Sequence, residues 1–410
     1  MKVLMLGWEL PPHHTGGMGV VCLQLCKALS KQNVDIEFIL PFTADFPEID
    51  FMKINPALPH NVYEVLFNAG GSTYDNQLFT YIHKDGTTRG VKMIEHQNAY
   101  VEYVTKLVKF GEYDIVHAHD WLTFRAGLAA KMLSGKPLIL HVHATEYDRC
   151  GGSSNGNPLI KDIEFLGFSM ADRIIAISQR IKNTIVREYG IDSSKIEIVH
   201  NAMEFQEHEL NEPGGSIYRY LEYMKSSGYR VVLSAGRLTI QKGLTYLMQT
   251  AKLVIERDPK VLFVFVGGGE QYNELIQMSA DLGISKNVIM VGHLNGTGRA
   301  WRDAFRSADL FVLPSVSEPF GITPIEAITY GSPVIISKQS GTAELLHNCF
   351  KTDFWDTNEM ANQIYSLLNY RGLSETMFNN SRMELRNISW NKSAQKLVGV
   401  YNSHMCGVGA

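Results

Sequence analysis

Short apolar runs alternate with stretches of helical periodicity along most of the chain. Residues 3–6, 36–40, 114–117, 137–142, 173–177 and 196–199 read as strands. Residues 20–30 read as a helix with Val21, Leu25, Ala28 and Leu29 on one face, and residues 100–110 as another. Strands that are continuously apolar are covered on both faces, which predicts a parallel sheet sandwiched by helices. Between residues 45 and 90 the pattern weakens, leaving candidate strands at 62–66 and 78–81. It breaks at 201–229, where Glu204, Glu207, Glu209, Pro213, Gly214 and Gly215 mark a connection ending in a helix at 216–225. A second series follows at 231–234, 261–266, 288–291, 310–313 and 334–336, with a helix at 244–256. The final stretch, 390–401, is amphipathic and placed to cross back. The expectation is two doubly wound α/β domains with a cleft between them: residues 1–203, a linker and lead-in helix at 204–228, residues 229–388, and a returning helix at 389–410.

Composition changes this picture little. The 410 residues are 45% hydrophobic and 20% charged, enough for two cores. A net charge of −4 carries no nucleic-acid footprint. The five cysteines are scattered, and Cys22 and Cys26, one helical turn apart, read as core thiols in a reduced, cytoplasmic protein. The N-terminal run is too short for a signal peptide, and no stretch nears the roughly 20 apolar residues that span a bilayer.

Candidate chemistry sits where strands hand over to helices, the ligand edge of an open α/β sheet. Residues 317–326 follow the strand at 310–313 and place Glu318, Gly321 and Glu326 at such a junction. Thr323 reads as an N-cap, Pro324 as the first helical residue and Glu326 as N3, a capping box. The amides of Gly321, Ile322 and Thr323 then face outward at the positive end of a helix, suited to a phosphate or hydroxyl. Arg237 and Lys242, on the loop 236–243 after the first strand of the second domain, suit a diphosphate. Gly267, Gly268 and Gly269 permit close backbone approach to a base or ribose. Residues 14–19, with Gly16 and Gly17, do the same in the first domain without the dinucleotide-binding spacing. Two H-x-H pairs, His117/His119 and His141/His143, end two strands. They read as a zinc site with Asp120, as core histidines, or with His143 bonding a substrate hydroxyl.

Five of these signatures, in order, resemble the GT-B glycosyltransferases of family 4 (group 1) and the neighbouring bacterial glycogen and starch synthases. They are residues 14–18, residues 117–123, the loop 236–243, the turn at Gly267–Gly269, and the pair Glu318/Glu326 flanking Pro319, Phe320 and Gly321. The resemblance implies a GT-B fold of two Rossmann-like domains with an interdomain cleft. It implies that Arg237 and Lys242 grip a nucleoside diphosphate, with Gly236 in the same loop, and that Glu326 binds the ribose hydroxyls. Glu318, with amides from Phe320 to Ile322, holds the donor sugar; Thr323 adjoins. His143 contacts that sugar from the first domain, Asn201 touches it, and Gly16 and Gly17 let backbone approach the phosphates. Gly268, His293 and Leu294 lie near the base. The family retains anomeric configuration by front-face attack, so Glu318 and Glu326 are not the acid and nucleophile of a glycosidase. His14 stands where the synthases carry lysine, which favours family 4.

The expected activity is transfer of a hexose, glucose above all, from a UDP-sugar or ADP-sugar to a glycan of glycogen type. No metal, no cofactor, no nucleic acid and no integral membrane segment are expected. The alternatives are a family 4 transferase making a cell-envelope glycan or a small sucrose-like glycoside, a sugar-nucleotide epimerase, and a zinc hydrolase built on the H-x-H pairs.

Overall fold

The computed structural model describes residues 1–13, 17–68, 78–152, 155–203, 214–294, 296 and 298–405. The chain divides into two compact units. Met1–Tyr147, Asn155–Ala202 and Trp390–Ala410 form the first; Asp148–Ser154 and Met203–Ser389 form the second.

The first unit runs β1 (Lys2–Leu6), α1 (Gly17–Ser30), β2 (Asp35–Leu40), β3 (Lys53–Pro56), β4 (Val62–Asn68), β5 (Leu78–His83), β6 (Thr88–Lys92), α2 (Met93–Val108), β7 (Ile115–His119) and α3 (Asp120–Ser134). It continues with β8 (Leu138–Val142), α4 (Glu146–Arg149), α5 (Pro158–Met170), β9 (Arg173–Ala176), α6 (Gln179–Tyr189) and β10 (Ile196–Ile198). Its parallel sheet has the order β10-β9-β8-β7-β1-β2-β3, and a separate antiparallel sheet has the order β4-β5-β6. β3 and β6 had no sequence signal because neither is a buried apolar run: no residue of β3 is buried, and only Val91 of β6 is. Helix α2 begins seven residues before the predicted 100, because its first turns bury the polar His96 and Gln97. Cys22 and Cys26 are buried free thiols on α1, as expected.

The second unit runs α7 (Ser216–Ser226), β11 (Arg230–Ala235), α8 (Leu244–Arg257), β12 (Val261–Val266), α9 (Tyr272–Asp281), β13 (Val288–Gly292), α10 (Arg299–Arg306), β14 (Leu310–Leu313), α11 (Thr323–Tyr330), β15 (Val334–Ser337), β16 (Phe350–Thr352), α12 (Thr357–Asn369) and α13 (Arg371–Leu385). Its parallel sheet has the order β13-β12-β11-β14-β15-β16. The apolar strands feed two cores by the period-2 alternation of their side chains. Val232, Phe263, Phe265, Leu310 and Val312 pack with α8, α9 and α12. Val231, Val264, Phe311, Leu313 and Val334 pack with α7, α10 and α11.

The last helix, α14 (Trp390–Met405), belongs to the first unit and packs on α1. Tyr401 is fully buried there with its hydroxyl hydrogen-bonded to His117 Nδ1, and Ser393 Oγ donates to His200 O at 2.7 Å.

Candidate active site

In the second sheet β11 has β12 on one side and β14 on the other, so the strand order reverses between β11 and β14. Open α/β sheets bind ligands outside the carboxyl ends of strands at such a switch point. The loops leaving β11, β12 and β14 meet there through backbone contacts. Gly236 N donates to Val266 O and Leu238 N to Gly268 O, both at 2.9 Å, and Gln271 N donates to Leu238 O at 3.0 Å. A Cβ on Gly267 would lie 1.8 Å from Gly236 O, and one on Gly269 would lie 2.3 Å from Leu238 O. These two glycines are therefore required by the neighbouring loop. Gly268 is not so confined: its nearest neighbour would be His293 Cβ at 3.5 Å. On the other side, Gly243 has φ 64° and a Cβ there would meet Pro314 O at 2.1 Å, while Val316 N donates to Gln241 O at 2.9 Å.

That second clamp sets Lys242 against Glu318. Their side chains are 17% and 8% exposed, and Lys242 Nζ bonds Glu318 Oε2 directly. Ser315 Oγ donates to the same oxygen at 3.1 Å. The peptide of Glu318 is fixed in turn, its N–H donating to Gln339 O at 3.0 Å and its carbonyl accepting from Gly341 N at 2.9 Å. Arg237, on the same loop as Lys242, is exposed and makes no ion pair among the described residues. One anchored cation and one free cation beside a carboxylate can hold a diphosphate next to a hydroxyl-bearing group. Ser315, two residues past β14, had no signal beyond its position.

The capping box is not formed. The N-cap of α11 is Ile322, without a side-chain cap, and Thr323 is the first helical residue. Glu326 N donates to Ile322 O at 3.1 Å, and Glu326 Oε1 accepts from Trp301 Nε1 at 3.2 Å instead of reaching back to Thr323. Moving the helix start one residue earlier carries Glu326 past N3, so the box geometry is lost. In the first turn Pro324 has no N–H and Ile325 N donates to Ile322 O at 2.9 Å, which leaves Thr323 as the first-turn amide without an intrahelical acceptor. Gly321 has φ 88°, and buried Phe320 is pinned by Thr342 N donating to its carbonyl at 2.8 Å. Burial raises the Glu326 carboxyl to about 7, against a smaller lowering by the Trp301 hydrogen bond. His293 is exposed and Leu294 half-buried just beyond β13.

In the first sheet the order reverses between β1 and β7. His117, His119, His141 and His143 are all buried at the ends of β7 and β8. His119 Nδ1 and His143 Nε2 share a hydrogen bond of 2.9 Å, and His119 Nε2 lies 3.1 Å from Met5 Sδ. Asp120, with φ 56°, accepts from the His143 amide at 2.7 Å. Both nitrogens of His141, with His117 Nε2 and His143 Nδ1, are buried without a partner. Nitrogens of His117, His119 and His141 lie within 4.8 Å of one another, as do ligand atoms of Cys22, His119 and His143. The rings are nearly parallel, at 5° to 29° with centroids 4.6 to 5.4 Å apart, whereas tetrahedral zinc needs lone pairs converging on one centre. Gly17 opens α1, and Asn201 is buried after β10. Gly16 and His14 lie outside the described residues.

Burial holds these imidazoles neutral, with His117 lowered to about 3 and His119, His141 and His143 also lowered. An unfolded histidine takes up a proton near 6.5, so below that pH the unfolded chain binds protons that the folded stack refuses, and stability falls as pH falls. Thermal unfolding between pH 7.5 and 5.0 should show this. His141→Leu, which removes two unpartnered nitrogens, should lose less melting temperature over that range than the parent; an equal loss would put the acid sensitivity elsewhere.

Residues 222–383 match the family described as Glycosyl transferases group 1, and residues 15–207 that described as Glycosyltransferase Family 4. Over 415 residues the chain is 28% identical to an uncharacterised glycosyltransferase of Methanocaldococcus jannaschii, covering 99% of each. It is 25% identical to a D-inositol 3-phosphate glycosyltransferase of Salinispora arenicola, over 96% of this chain and 88% of that one. It is 24% identical to a glycogen synthase of Mycobacterium tuberculosis, over 85% and 80%. The solved structure of Anabaena HepE in complex with UDP-glucose shares the fold, with a TM-score of 0.70 at 19% identity over 98% of this chain and 100% of that one. The two families cover the two halves of the chain in turn, the sheets and their switch points are those of the GT-B fold, and the chain belongs to the group 1, family 4 glycosyltransferases.

Proposed function

We propose that this chain is a retaining hexosyltransferase that moves glucose from UDP-glucose or ADP-glucose to a glycogen-type α-glucan, without a metal. The observation that carries this reading is the Lys242–Glu318 pair at the switch point of the second sheet, with Arg237 exposed on the same loop as Lys242. The UDP-glucose complex of the Anabaena protein supports the donor class, and the mycobacterial glycogen synthase supports the acceptor.

In this reading the donor diphosphate lies at the β11–β14 switch point. Arg237 takes it by its planar fork and Lys242 as a point charge, and both stabilise the charge that builds on the leaving phosphate. Lys242 already rests on Glu318, so it is oriented before the donor arrives. Glu318 accepts from hydroxyls of the sugar, and the Thr323 amide at the start of α11 adds a donor. The two cations and the helix end do the neutralising that a divalent ion performs elsewhere. The acceptor oxygen bonds to the anomeric carbon on the face from which the diphosphate leaves, the bond from that carbon to the phosphate oxygen breaks, and the hydroxyl proton passes to the leaving phosphate, which keeps the anomeric configuration.

The test is incorporation of radiolabelled glucose into glycogen from UDP-glucose and from ADP-glucose, with and without EDTA. Incorporation from either donor supports the glucan reading, and none from both removes it. The relation to a D-inositol 3-phosphate glycosyltransferase favours a second reading, a small polyol or sugar-phosphate acceptor on the same donor site. Replacing glycogen by such acceptors separates the two. Glu326→Ala should raise donor KM about tenfold and Glu326→Gln less, because glutamine keeps a hydrogen-bonding carbonyl. Equal increases would mean that the site uses charge alone.

A further inference from the structure

The Glu326–Trp301 contact carries more than a correction to the helix start. Trp301 lies on α10 with its ring tilted against Phe305 at 5.3 Å, and Phe305 stacks on Phe311 of β14 at 5.6 Å. The indole is thus tied to the sheet through two aromatic rings. Its N–H reaches Glu326 Oε1, while Oε2 has no partner among the described residues.

Nearby charge does not account for the state of this carboxyl. On α10, Asp303 is engaged by Arg299 at 3.8 Å, Arg306 at 3.5 Å and the Gly215 amide at 2.7 Å. On α13, Arg371 pairs with Glu375 at 2.6 Å, and Glu384 accepts from the amides of His347 and Asn348. β14 and β15 carry no charged residue. Arg302 on α10 and Arg382 on α13 are the remaining charged residues of these two helices. Burial and the indole are what set it.

We propose that Trp301 is a positioning residue for the nucleotide ribose: its indole N–H fixes the Glu326 carboxylate through Oε1 and leaves the remaining lone pairs to accept the ribose hydroxyls. This rests on the reading above in which Glu326 holds the ribose. The hydrogen bond does two things at once. It selects one rotamer, and it favours the ionised form, which accepts from both hydroxyls of a diol without spending a lone pair on a proton.

Trp301→Phe keeps an aromatic ring against Phe305 and removes the N–H. Donor KM should rise about three- to tenfold, as for one lost hydrogen bond, with kcat within twofold. The acid limb of the pH profile of kcat/KM should move to higher pH, because the carboxyl has lost the donor that favours its charge. In the unaltered protein the indole 1H–15N resonance of Trp301, selectively labelled, should titrate between pH 5 and 8, and Glu326→Gln should abolish that titration. An unshifted acid limb in Trp301→Phe, or an indole resonance that does not titrate, overturns the proposal; the resonance decides even if the variant fails to fold. If Glu326→Gln leaves donor KM unchanged, the ribose reading falls with everything built on it. If Glu326→Gln raises KM while Trp301→Phe leaves the limb in place, only the Trp301 assignment falls.

Discussion

Lys242→Ala should lower kcat/KM for the sugar nucleotide by roughly two to three orders of magnitude, the usual loss when one preorganised charge is taken from a developing anion. The expectation comes from where Lys242 sits. It is largely buried against Glu318, on a loop clamped by Gly243 under Pro314 O, and cannot be replaced by a drifting surface lysine. The same substitution also strands Glu318, only 6% exposed, with Ser315 as its remaining side-chain partner. Removing one member of a buried pair is destabilising in its own right. The two effects separate with Lys242→Ala/Glu318→Gln, which relieves the stranded charge. Its melting temperature should return toward that of the parent; the rate loss is read from Lys242→Ala alone, at a temperature where that variant stays folded, because Glu318→Gln alters a sugar contact of its own. A rate loss below tenfold in Lys242→Ala, measured in the labelled-glucose assay, would remove Lys242 from the diphosphate site.

Gly267→Ala should destabilise the second unit by about 3 kcal/mol or more, seen as a lower urea midpoint in tryptophan fluorescence. At φ 146° an L side chain is strained, and the new Cβ would sit 1.8 Å from a carbonyl oxygen that is itself part of the Gly236 turn. Backbone cannot step aside as the tip of a side chain can. Gly268→Ala is the internal control. It has ordinary contacts only, with the nearest atom at 3.5 Å, and should stay within about 0.5 kcal/mol of the parent. If the two alanines cost the same, the interlocked loops are not what the glycines serve.

Much of this was legible from residue patterns, for identifiable reasons. The strands at 261–266 and 310–313 are buried on both faces, so their apolar runs are uninterrupted. Arg237, Lys242, Glu318 and Glu326 stood out because charge at the carboxyl end of an apolar strand is conspicuous. What the pattern did not show shares a cause. The glycines at 267 and 269 look the same in sequence whether or not another loop presses on them, and only the contacts show that one does. Glu326 looked like a cap because Thr323 and Pro324 precede it at the right spacing. Its actual partner, Trp301, is 25 residues away and reachable only once α10 and α11 are packed together. β3 and β6 were missed because they are held by hydrogen bonds to one neighbour each and bury little apolar surface.

The return of α14 to the first unit has a consequence for biosynthesis. Tyr401 and Ser393 tie α14 to that unit, one on His117 and the other on the His200 carbonyl. A ribosome reaches Ala202 and then makes about 190 more residues before Trp390 exists, a delay of roughly 10–40 s at ordinary elongation rates. Through that interval the nascent first unit has α1 bare where α14 will lie and His117 without its phenol. The second unit, whose residues are almost all made within the interval, can complete its fold first. The older half of the chain thus finishes after the younger one, and it is the older half that should engage chaperones during synthesis.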